Sequence, residues 1–435
     1  MSRTHTAMTE WQKRGARARR FSVATRADTR TSSAPLQPQR FEDLSSFSPD
    51  FRERLAGKLV LAPLTKGGNL PYRRLVCDFG AEVTMGEMSF SRFLLKGDRV
   101  ERTRLRIASE EQMYGFQFAT NTISEGVRTS QMALEAGASW VDLNCGCPIY
   151  EATRRGLGAE LLGRPAKLRK LVQGIAADSP LPLTVKIRTG VKEGKTNVLR
   201  VVRELEDAGA AAVIIHGRTK EQRYKSAADW NLIGEAVQQA SIPIIGNGDI
   251  LTHYEAEARM KASGCHAVLV GRGALIKPWI FQEFKEGRVL RPTDKERVGI
   301  YRRFVAYLKE AMGDDSMGKR KGMVFLPWHF SFFHRYRPLE PEFYAEYAQE
   351  KPLINLRMDL AALGEDQDLP PLERVLRSDK ESIHQEIAEA LWDATSDDDA
   401  VLALENIATR AGPEGLMNGS GAETLTDDDH EGARG

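Results

Sequence analysis

Cysteine is scarce in this sequence, and long apolar runs are absent from it. The 435 residues include only four cysteines. No stretch resembles a secretory signal or reaches the roughly 18 apolar residues of a membrane span. We therefore expect no disulfide framework, no membrane association and a soluble protein in a reducing compartment, the cytoplasm. The formal net charge of +2 does not by itself indicate a class of partner.

Charge is concentrated at the two ends of the chain. Residues 1–40 carry nine Lys or Arg against two acidic residues, and 411–435 are rich in glycine and acidic residues. These compositions predict a disordered basic arm over 1–50 and a disordered tail over 411–435. The Arg- and Ser-rich stretch at 14–33 also resembles a transit peptide, so organellar targeting is an alternative to the cytoplasm.

Short apolar runs alternate with helical patterns from residue 59 onward. The runs are LVLAPLT (59–65), AEVTMGEM (81–88), QMYGFQFA (112–119), WVDLNCG (140–146), LTVKIRT (183–189), AAVIIHGR (211–218), IPIIGNGDI (242–250) and AVLVGRGAL (267–275). Eight such β–α units predict an α/β fold, a (β/α)₈ TIM barrel over 51–288. A doubly wound sheet is the alternative, although about six strands would be more usual there.

The strand pattern ends near residue 288. Residues 294–312 predict one helix, 318–338 a second that is interrupted at Pro327, and 382–394 and 399–411 two more. We therefore expect a smaller helical domain over 289–410.

Seven of the predicted strands end in residues that could bind a ligand or take part in a reaction. The carboxyl ends of the strands are where barrel enzymes place their functional groups. The residues are Pro63, Leu64 and Thr65 after the first strand, Gln117 on the third, Asn144 to Pro148 on the fourth, Lys186 and Arg188 on the fifth, His216 and Arg218 on the sixth, Asn247, Gly248 and Asp249 on the seventh, and Gly271 and Arg272 on the eighth. Any one of them would suit a satisfied core group. Seven strand ends together predict one functional mouth.

Residue chemistry suggests what this mouth binds. Gly248 and Gly271 would let backbone amides approach a ligand closely, and Arg272 would supply charge for a phosphate. Lys186 would suit a ring that becomes anionic, as a reduced flavin does, and Gln117 could bond the edge of such a ring.

The segment LNCGCP places two cysteines two residues apart. A zinc site needs further ligands, and the other two cysteines are isolated, so we expect no metal. A redox pair usually has two intervening residues. The remaining interpretation is one working thiol, Cys147, in the loop above the mouth, with Cys145 packing below it. His216 could bind phosphate or act as an acid.

Six motifs in one order, LNCGCP, GLGAELL, VKIRTG, IIHGRT, GNGDI and VGRGAL, resemble those of the tRNA-dihydrouridine synthases from about Lys58 to Phe284. APLTKGGNLPYRRL, GRTKEQRY, ADW and KPWIF are similar to the branch whose eukaryotic members modify the variable-loop uridine. Those members often carry zinc fingers ahead of the barrel. No cysteine precedes Cys77 here, and Tyr150 and Glu151 depart from the family's loop.

The resemblance implies a monomeric FMN enzyme that uses NADPH to reduce tRNA uridines. Hydride would reach uracil C6, and Cys147 would protonate C5 from the opposite face. The residues that would hold FMN are Pro63, Leu64, Thr65, Gln117, Lys186, His216, Asn247, Gly248, Asp249, Gly271 and Arg272. Asn144 and Arg188 would contact the uracil, with Arg218 as a further substrate-binding candidate.

A base in folded RNA must leave its stack to reach a barrel mouth, so the enzyme needs a surface that grips the tRNA. Lys319, Arg320 and Lys321, in a basic and aromatic segment of the helical domain, are the candidates. We expect the phenylalanines of that segment, Phe330, Phe332 and Phe333, to be core.

Two other functions fit part of this pattern. A flavin barrel acting on a free pyrimidine, of the dihydroorotate or dihydropyrimidine type, would use a similar cradle. A tRNA-binding protein without catalysis would need only the basic surface. The helical domain argues against the first, and Cys147 with a complete flavin set argues against the second.

Overall fold

The computed structural model describes residues 48–338, 341, 342, 354 and 369–416. The predicted basic arm and acidic tail therefore lie outside the described residues, apart from their inner edges. The first helix begins at Ser48. The last helical stretch kinks at Gly412, whose φ is +64°, and ends at Leu416, beyond Ala411 where the tail was expected to begin.

Eight parallel strands close into a barrel. They are β1 (Leu59–Leu61), β2 (Val83–Met85), β3 (Met113–Ala119), β4 (Trp140–Cys145), β5 (Leu183–Arg188), β6 (Ala212–His216), β7 (Ile244–Asn247) and β8 (Ala267–Val270). Each strand pairs with the next, and β8 returns to β1 with Leu59 opposite Val268. The predicted TIM barrel is confirmed, and the doubly wound alternative is wrong.

Helices follow the strands around the barrel. They are α1 (Ser48–Leu55), α2 (Leu70–Asp78), α3 (Ser91–Leu95), α4 (Arg99–Thr103), α5 (Ile123–Glu135), α6 (Tyr150–Thr153), α7 (Pro165–Asp178), α8 (Val198–Asp207), α9 (Trp230–Gln239), α10 (His253–Ser263), α11 (Arg272–Ile276) and α12 (Ile280–Glu286). A 3₁₀ turn spans Gly158–Gly163, a short strand at Ser89–Phe90 adds to β3, and Gly190–Lys192 pairs with Lys195–Thr196. α8 shows the common pattern, since its buried residues are Val198, Val201, Val202 and Leu205.

The amino end of the barrel is sealed by apolar side chains. Phe51 of α1 packs on Trp140 of β4, with the ring centroids 5.8 Å apart. Trp140 in turn fills the space beside Gly115, where a Cβ would lie 2.2 Å from the indole. Because this end is closed by a packed core, a ligand has access only from the carboxyl ends of the strands.

A second group of helices follows the barrel. It consists of α13 (Asp294–Met312), α14 (Ser316–Gly322), α15 (Leu326–Phe333), α16 (Pro371–Leu376), α17 (Glu381–Asp393) and α18 (Asp397–Leu416). Pro327 does not interrupt a helix as predicted. It lies in the first turn of α15, where its missing N–H has no intrahelical role, so the break falls before it. No helix among the described residues has the length and apolar character needed to cross a bilayer.

His329 joins the helical region to the barrel. Its ring stacks on Tyr72 of α2, with centroids 4.6 Å apart, and meets Phe304 of α13 edge-on at 4.5 Å. Its Nε2 lies 3.3 Å from the carbonyl oxygen of Lys66. Complete burial lowers the pKa of His329 to about 3, so the imidazole is neutral at physiological pH.

We predict that His329→Phe weakens the pH dependence of stability. An unfolded histidine has a pKa near 6.5. Between about pH 6.5 and 3, His329 is therefore protonated in the unfolded chain and neutral in the native protein. Stability is therefore lost as pH falls through that window. Urea unfolding at pH 7 and pH 5 should show a loss smaller by about 2 kcal/mol in the variant, whose ring keeps the stack. Equal losses in both proteins would contradict this account of His329.

Candidate active site

Four of the strand-end residues predicted from sequence, Asn144, Lys186, His216 and Asn247, lie on the interior face of the barrel near its mouth. Asn144 of β4 lies opposite Lys186 of β5, and His216 of β6 lies opposite Asn247 of β7. Lys186 Nζ on β5 donates to Asn247 Oδ1 on β7 at 3.2 Å, across the intervening strand β6. Because side chains alternate along a strand, these residues point inward while their neighbours pack against the helices.

Gly146 and Cys147, which we call the thiol loop, are held at all four of their backbone polar groups. Both N–H groups donate to Asn144 Oδ1, at 3.2 and 2.9 Å. The carbonyl of Gly146 accepts from Arg188 Nε at 2.8 Å. The carbonyl of Cys147 accepts from the N–H of Ala159 at 3.0 Å. The loop backbone is therefore fixed from β4, β5 and the 3₁₀ turn.

Gly158 makes the last of these contacts possible. Its φ is +60°, and a Cβ there would lie 2.5 Å from the carbonyl oxygen of Cys147. Any larger residue would push the 3₁₀ turn away from the thiol loop. The motif GLGAELL is thus a support for Cys147, a role that its sequence position alone does not reveal.

The two cysteines of LNCGCP lie in different surroundings. Cys145 is fully buried in the main core, and burial raises the pKa of its thiol well above the ordinary value. Cys147 is half-buried, beside a small apolar cluster that includes Met88, Phe90 and Ile149. Of the pair, only Cys147 is partly exposed, so it stays the candidate for contact with a ligand.

Asn144 and Arg188, which we expected to contact uracil, are engaged in holding the thiol loop. Asn144 is buried, and its Nδ2 donates to Gln117 Oε1 at 2.8 Å. Arg188 is buried too, and its Nη1 donates to the carbonyl of Thr219 at 3.1 Å. Any contact of theirs with substrate stays a prediction that adds to this supporting role.

Four cationic side chains surround His216 at the carboxyl ends of β5 to β8. They are Lys186, Arg188, Arg218 and Arg272, which we call the cationic cluster. Burial, followed by the charges of Arg188, Lys186, Arg218 and Arg272, lowers the pKa of His216 well below its ordinary value. His216 is therefore neutral here, and an anion bound beside it would raise its pKa. This concentration of positive charge suits a phosphate or an anionic ring.

Asp249 organises the arginines of this cluster. Its carboxylate accepts from Arg218 Nη2 at 2.7 Å on both oxygens and from Arg272 Nη2 at 3.1 Å. Arg218 is fully buried, whereas the Arg272 guanidinium lies 4.1 Å from the ring centroid of Tyr224. Asp249 thus links Arg218 to Arg272 through its hydrogen bonds. Tyr224, which contacts Arg272, was not among the residues predicted from sequence.

The glycines after β7 and β8 differ in what they require. Gly248 has a φ of +134°, and a Cβ there would lie 2.5 Å from that of Ala228, so only glycine fits. At Gly271 a Cβ would meet Leu64 at 3.4 Å, an ordinary contact. Leu64, with Pro63 and the exposed Thr65, therefore brings the loop after β1 against the loop after β8.

The predicted tRNA-gripping residues lie on α14, outside this constellation. Lys319 Nζ is 2.6 Å from Asp393 of α17, Arg320 Nη2 is 2.9 Å from the sulfur of Met317, and Lys321 is exposed. The expectation that Phe330, Phe332 and Phe333 are core is confirmed. In the part of the chain that the structure describes, no three His, Cys, Asp or Glu side chains are grouped as metal ligands would be.

The chain is similar in sequence to a known protein family. A family model described as "Dihydrouridine synthase (Dus)" matches residues 60–363. The human "tRNA-dihydrouridine(47) synthase [NAD(P)(+)]-like" is 40% identical over 321 residues, which are 71% of this chain and 49% of that protein. The Coprinopsis cinerea "tRNA-dihydrouridine(47) synthase [NAD(P)(+)]" is 38% identical over 308 residues, 67% of this chain and 46% of that protein. The chain thus spans about half the length of these curated relatives.

We predict that Gly158→Ala destabilises the protein more than Gly194→Ala does. Both glycines have positive φ, +60° and +69°, so both substitutions carry the backbone cost of about 1 kcal/mol. At Gly194 nothing lies within 4 Å of the added methyl, whereas at Gly158 it meets the carbonyl of Cys147. Urea unfolding should show an additional loss of about 1–3 kcal/mol for Gly158→Ala. Equal losses would mean that the 3₁₀ turn does not press on the thiol loop.

Proposed function

Because this chain belongs to the dihydrouridine synthase family, we propose that it reduces the C5=C6 bond of uridine in tRNA to give 5,6-dihydrouridine. The names of its relatives support NADPH as the reductant and the uridine at position 47 as the target. The observation that supports the proposal is the thiol loop, whose backbone is fixed at the carboxyl end of β4, two strands from His216, which the cationic cluster surrounds.

The mouth fits FMN by its charge. Around His216 stand four cationic side chains, and the carboxylate of Asp249 is bonded to two of them, Arg218 and Arg272. The residues that would hold FMN are Pro63, Leu64, Thr65, Gln117, Lys186, His216, Asn247, Gly248, Asp249, Gly271 and Arg272, of which Asp249 acts through Arg272. When bound, FMN supplies the hydride that uracil C6 receives.

Lys186 and Arg272 would bind different parts of the cofactor. Lys186 lies on the inner wall with Asn247 and suits the ring edge that gains negative charge. Arg272 follows β8, where barrels commonly bind phosphate, and Asp249 and Tyr224 orient its guanidinium. Neutral His216 between them can donate one hydrogen bond to either part.

Cys147 would complete the reduction by general acid catalysis. Its Sγ donates a proton to uracil C5 while C6 receives hydride from the opposite face, and the thiolate regains its proton from solvent. Such a step needs a thiol that keeps its proton at neutral pH and a sulfur held at a fixed distance from the base. The fixed backbone of the thiol loop meets the second need.

The remainder of the tRNA would bind outside the mouth. The target uridine must leave its stack, and Lys319, Arg320 and Lys321 of the helical domain, over 289–410, would contact phosphates. Lys319 would have to exchange its ion pair with Asp393 for a phosphate, which makes Arg320 and Lys321 the stronger contributors. We propose that the protein acts as a monomer.

We predict that the purified protein is yellow and oxidises NADPH in response to tRNA that lacks dihydrouridine. Nucleoside analysis of tRNA from a strain without the gene should show uridine in place of dihydrouridine at position 47. Unchanged dihydrouridine at every position would overturn the proposed substrate. Turnover of free uracil or orotate would instead favour a flavin barrel that acts on a free pyrimidine.

We predict that substitutions of the two cysteines of LNCGCP differ in their effect on the tRNA-dependent rate. Cys147→Ala should lower the tRNA-dependent rate by at least about 100-fold, because it removes the proton donor, while flavin content stays unchanged. Cys145→Ala is the matched control, since it removes a sulfur two residues away that has no access to the mouth. Flavin absorbance and single-turnover reoxidation by tRNA measure both effects. A similar loss in the two variants would mean that the thiols are not divided in this way.

A further inference from the structure

Asp142 begins a chain of hydrogen bonds that ends at the thiol loop. Its Oδ1 accepts from the hydroxyl of Thr184 at 2.5 Å, and its Oδ2 accepts from Gln117 Nε2 at 2.8 Å. Gln117 Oε1 accepts from Asn144 Nδ2 at 2.8 Å, and Asn144 Oδ1 accepts from the N–H of Cys147 at 2.9 Å. The chain thus crosses from β4 to β3 and back before it reaches the working thiol.

The chemistry of Asp142 gives this chain a direction. An ionised carboxylate only accepts hydrogen bonds, so Gln117 must turn its NH₂ group toward Asp142 and its carbonyl toward Asn144. Asn144 must then turn its own NH₂ toward Gln117 and its carbonyl toward the thiol loop. The thiol loop offers only N–H groups to Asn144. Both ends of the chain therefore require each amide to point its NH₂ group toward Asp142 and its oxygen toward the thiol loop. Reversing either amide would set two donors against each other.

Burial makes the direction costly to reverse. Asp142 is fully buried and Gln117 is 1% exposed, so no bulk water can satisfy a group that loses its partner. A buried polar group left unpaired costs about 1–3 kcal/mol. Burial also raises the pKa of Asp142 to about 6, against the hydrogen bonds from Thr184 and Gln117 and the nearby charge of Lys186. The carboxylate is therefore mostly ionised at neutral pH.

We propose that Asp142 is a positioning residue for Cys147: as an obligate acceptor it sets the direction of the amide chain through Gln117 and Asn144, and so the place of the thiol above the mouth. Asp142 lies two residues before Asn144 on the same face of β4, below the mouth, so it acts through the two amides. The kinetic part of this proposal rests on the proposed function, and the thiol-reactivity part does not.

Two substitutions of Asp142 separate its shape from its hydrogen bonding. Asp142→Leu removes the acceptor. Asp142→Asn can keep it by presenting its oxygen to Gln117 and its NH₂ to the hydroxyl of Thr184. That hydroxyl can then donate to the carbonyl of Val141, which lies 3.5 Å away. The asparagine variant is therefore the conservative rescue of the leucine variant.

We predict that Asp142→Leu slows single-turnover reoxidation by tRNA at least about tenfold, because a small displacement of a catalytic group is costly. KM for tRNA, flavin content and reduction by NADPH should change by less than about twofold. Asp142→Asn should keep the reoxidation rate within about threefold of wild type. Alkylation of Cys147 by iodoacetamide, followed by peptide mass spectrometry, should accelerate in the leucine variant alone, because a loosened loop exposes a half-buried thiol.

A second test, which keeps a polar residue at position 142, covers the case in which Asp142→Leu does not fold. In the Asp142→Asn background, Thr184→Val removes the hydroxyl that would hold the NH₂ group of the asparagine and so favour its oxygen toward Gln117. Each single variant should keep the reoxidation rate within about threefold. The double variant should fall at least about fivefold below the product of the two single effects, since both residues act on one direction of the chain.

The outcomes separate this inference from the proposed function. If wild-type protein shows no tRNA-dependent reoxidation, the proposed function fails, and Cys147 alkylation still tests Asp142. If wild type is active but Asp142→Leu keeps its rate and its alkylation profile, Asp142 is not a positioning residue. Equal losses in the leucine and asparagine variants, or additive effects in the double variant, would also overturn the inference.

Discussion

The site depends on one requirement, that the backbone of the thiol loop has no unpaired polar group. Gly146 and Cys147 leave the end of β4, so the ladder no longer supplies their partners. Asn144, Arg188 and the N–H of Ala159 supply them instead. Because the four bonds come from three different elements, moving the loop would leave a buried group unpaired at a cost of about 1–3 kcal/mol. The rigidity of the thiol loop thus follows from ordinary hydrogen-bond satisfaction.

The interior of the barrel changes character along its axis, and this change sets what can bind. Trp140 and Phe51 fill the amino end with apolar contacts, and Asp142 and Gln117 of the next layer satisfy each other. Near the mouth, four cationic side chains surround the neutral His216, and Asp249 bonds the guanidinium groups of Arg218 and Arg272. An anionic ligand is favoured where cationic side chains are concentrated in this way.

Sequence reasoning was sufficient for the barrel because buried parallel strands are continuous apolar runs bounded by glycine and polar residues. Each of the eight predicted runs contains a barrel strand, and the residues at their carboxyl ends converge. Partners could not be predicted in the same way. Asn144 and Arg188 resemble ligand contacts in sequence, yet their bonds to the thiol loop depend on a fold that brings β5 beside β4. Lys319 likewise pairs with Asp393, a residue 74 positions later.

Asp142 shows how a structural residue can escape a search for functional ones. A charged residue inside an apolar strand indicates a special role. Asp142, however, lies before the end of its strand, and barrel enzymes place their catalytic residues at the strand ends. Its importance comes from what a carboxylate cannot do, which is donate. Amides can turn either way at almost no intrinsic cost, so a chain of them holds a direction only if its ends fix it. Here the buried carboxylate fixes one end and the peptide N–H groups of the thiol loop fix the other, so the placement of the thiol rests in part on Asp142, a group below the mouth that acts only through its hydrogen bonds.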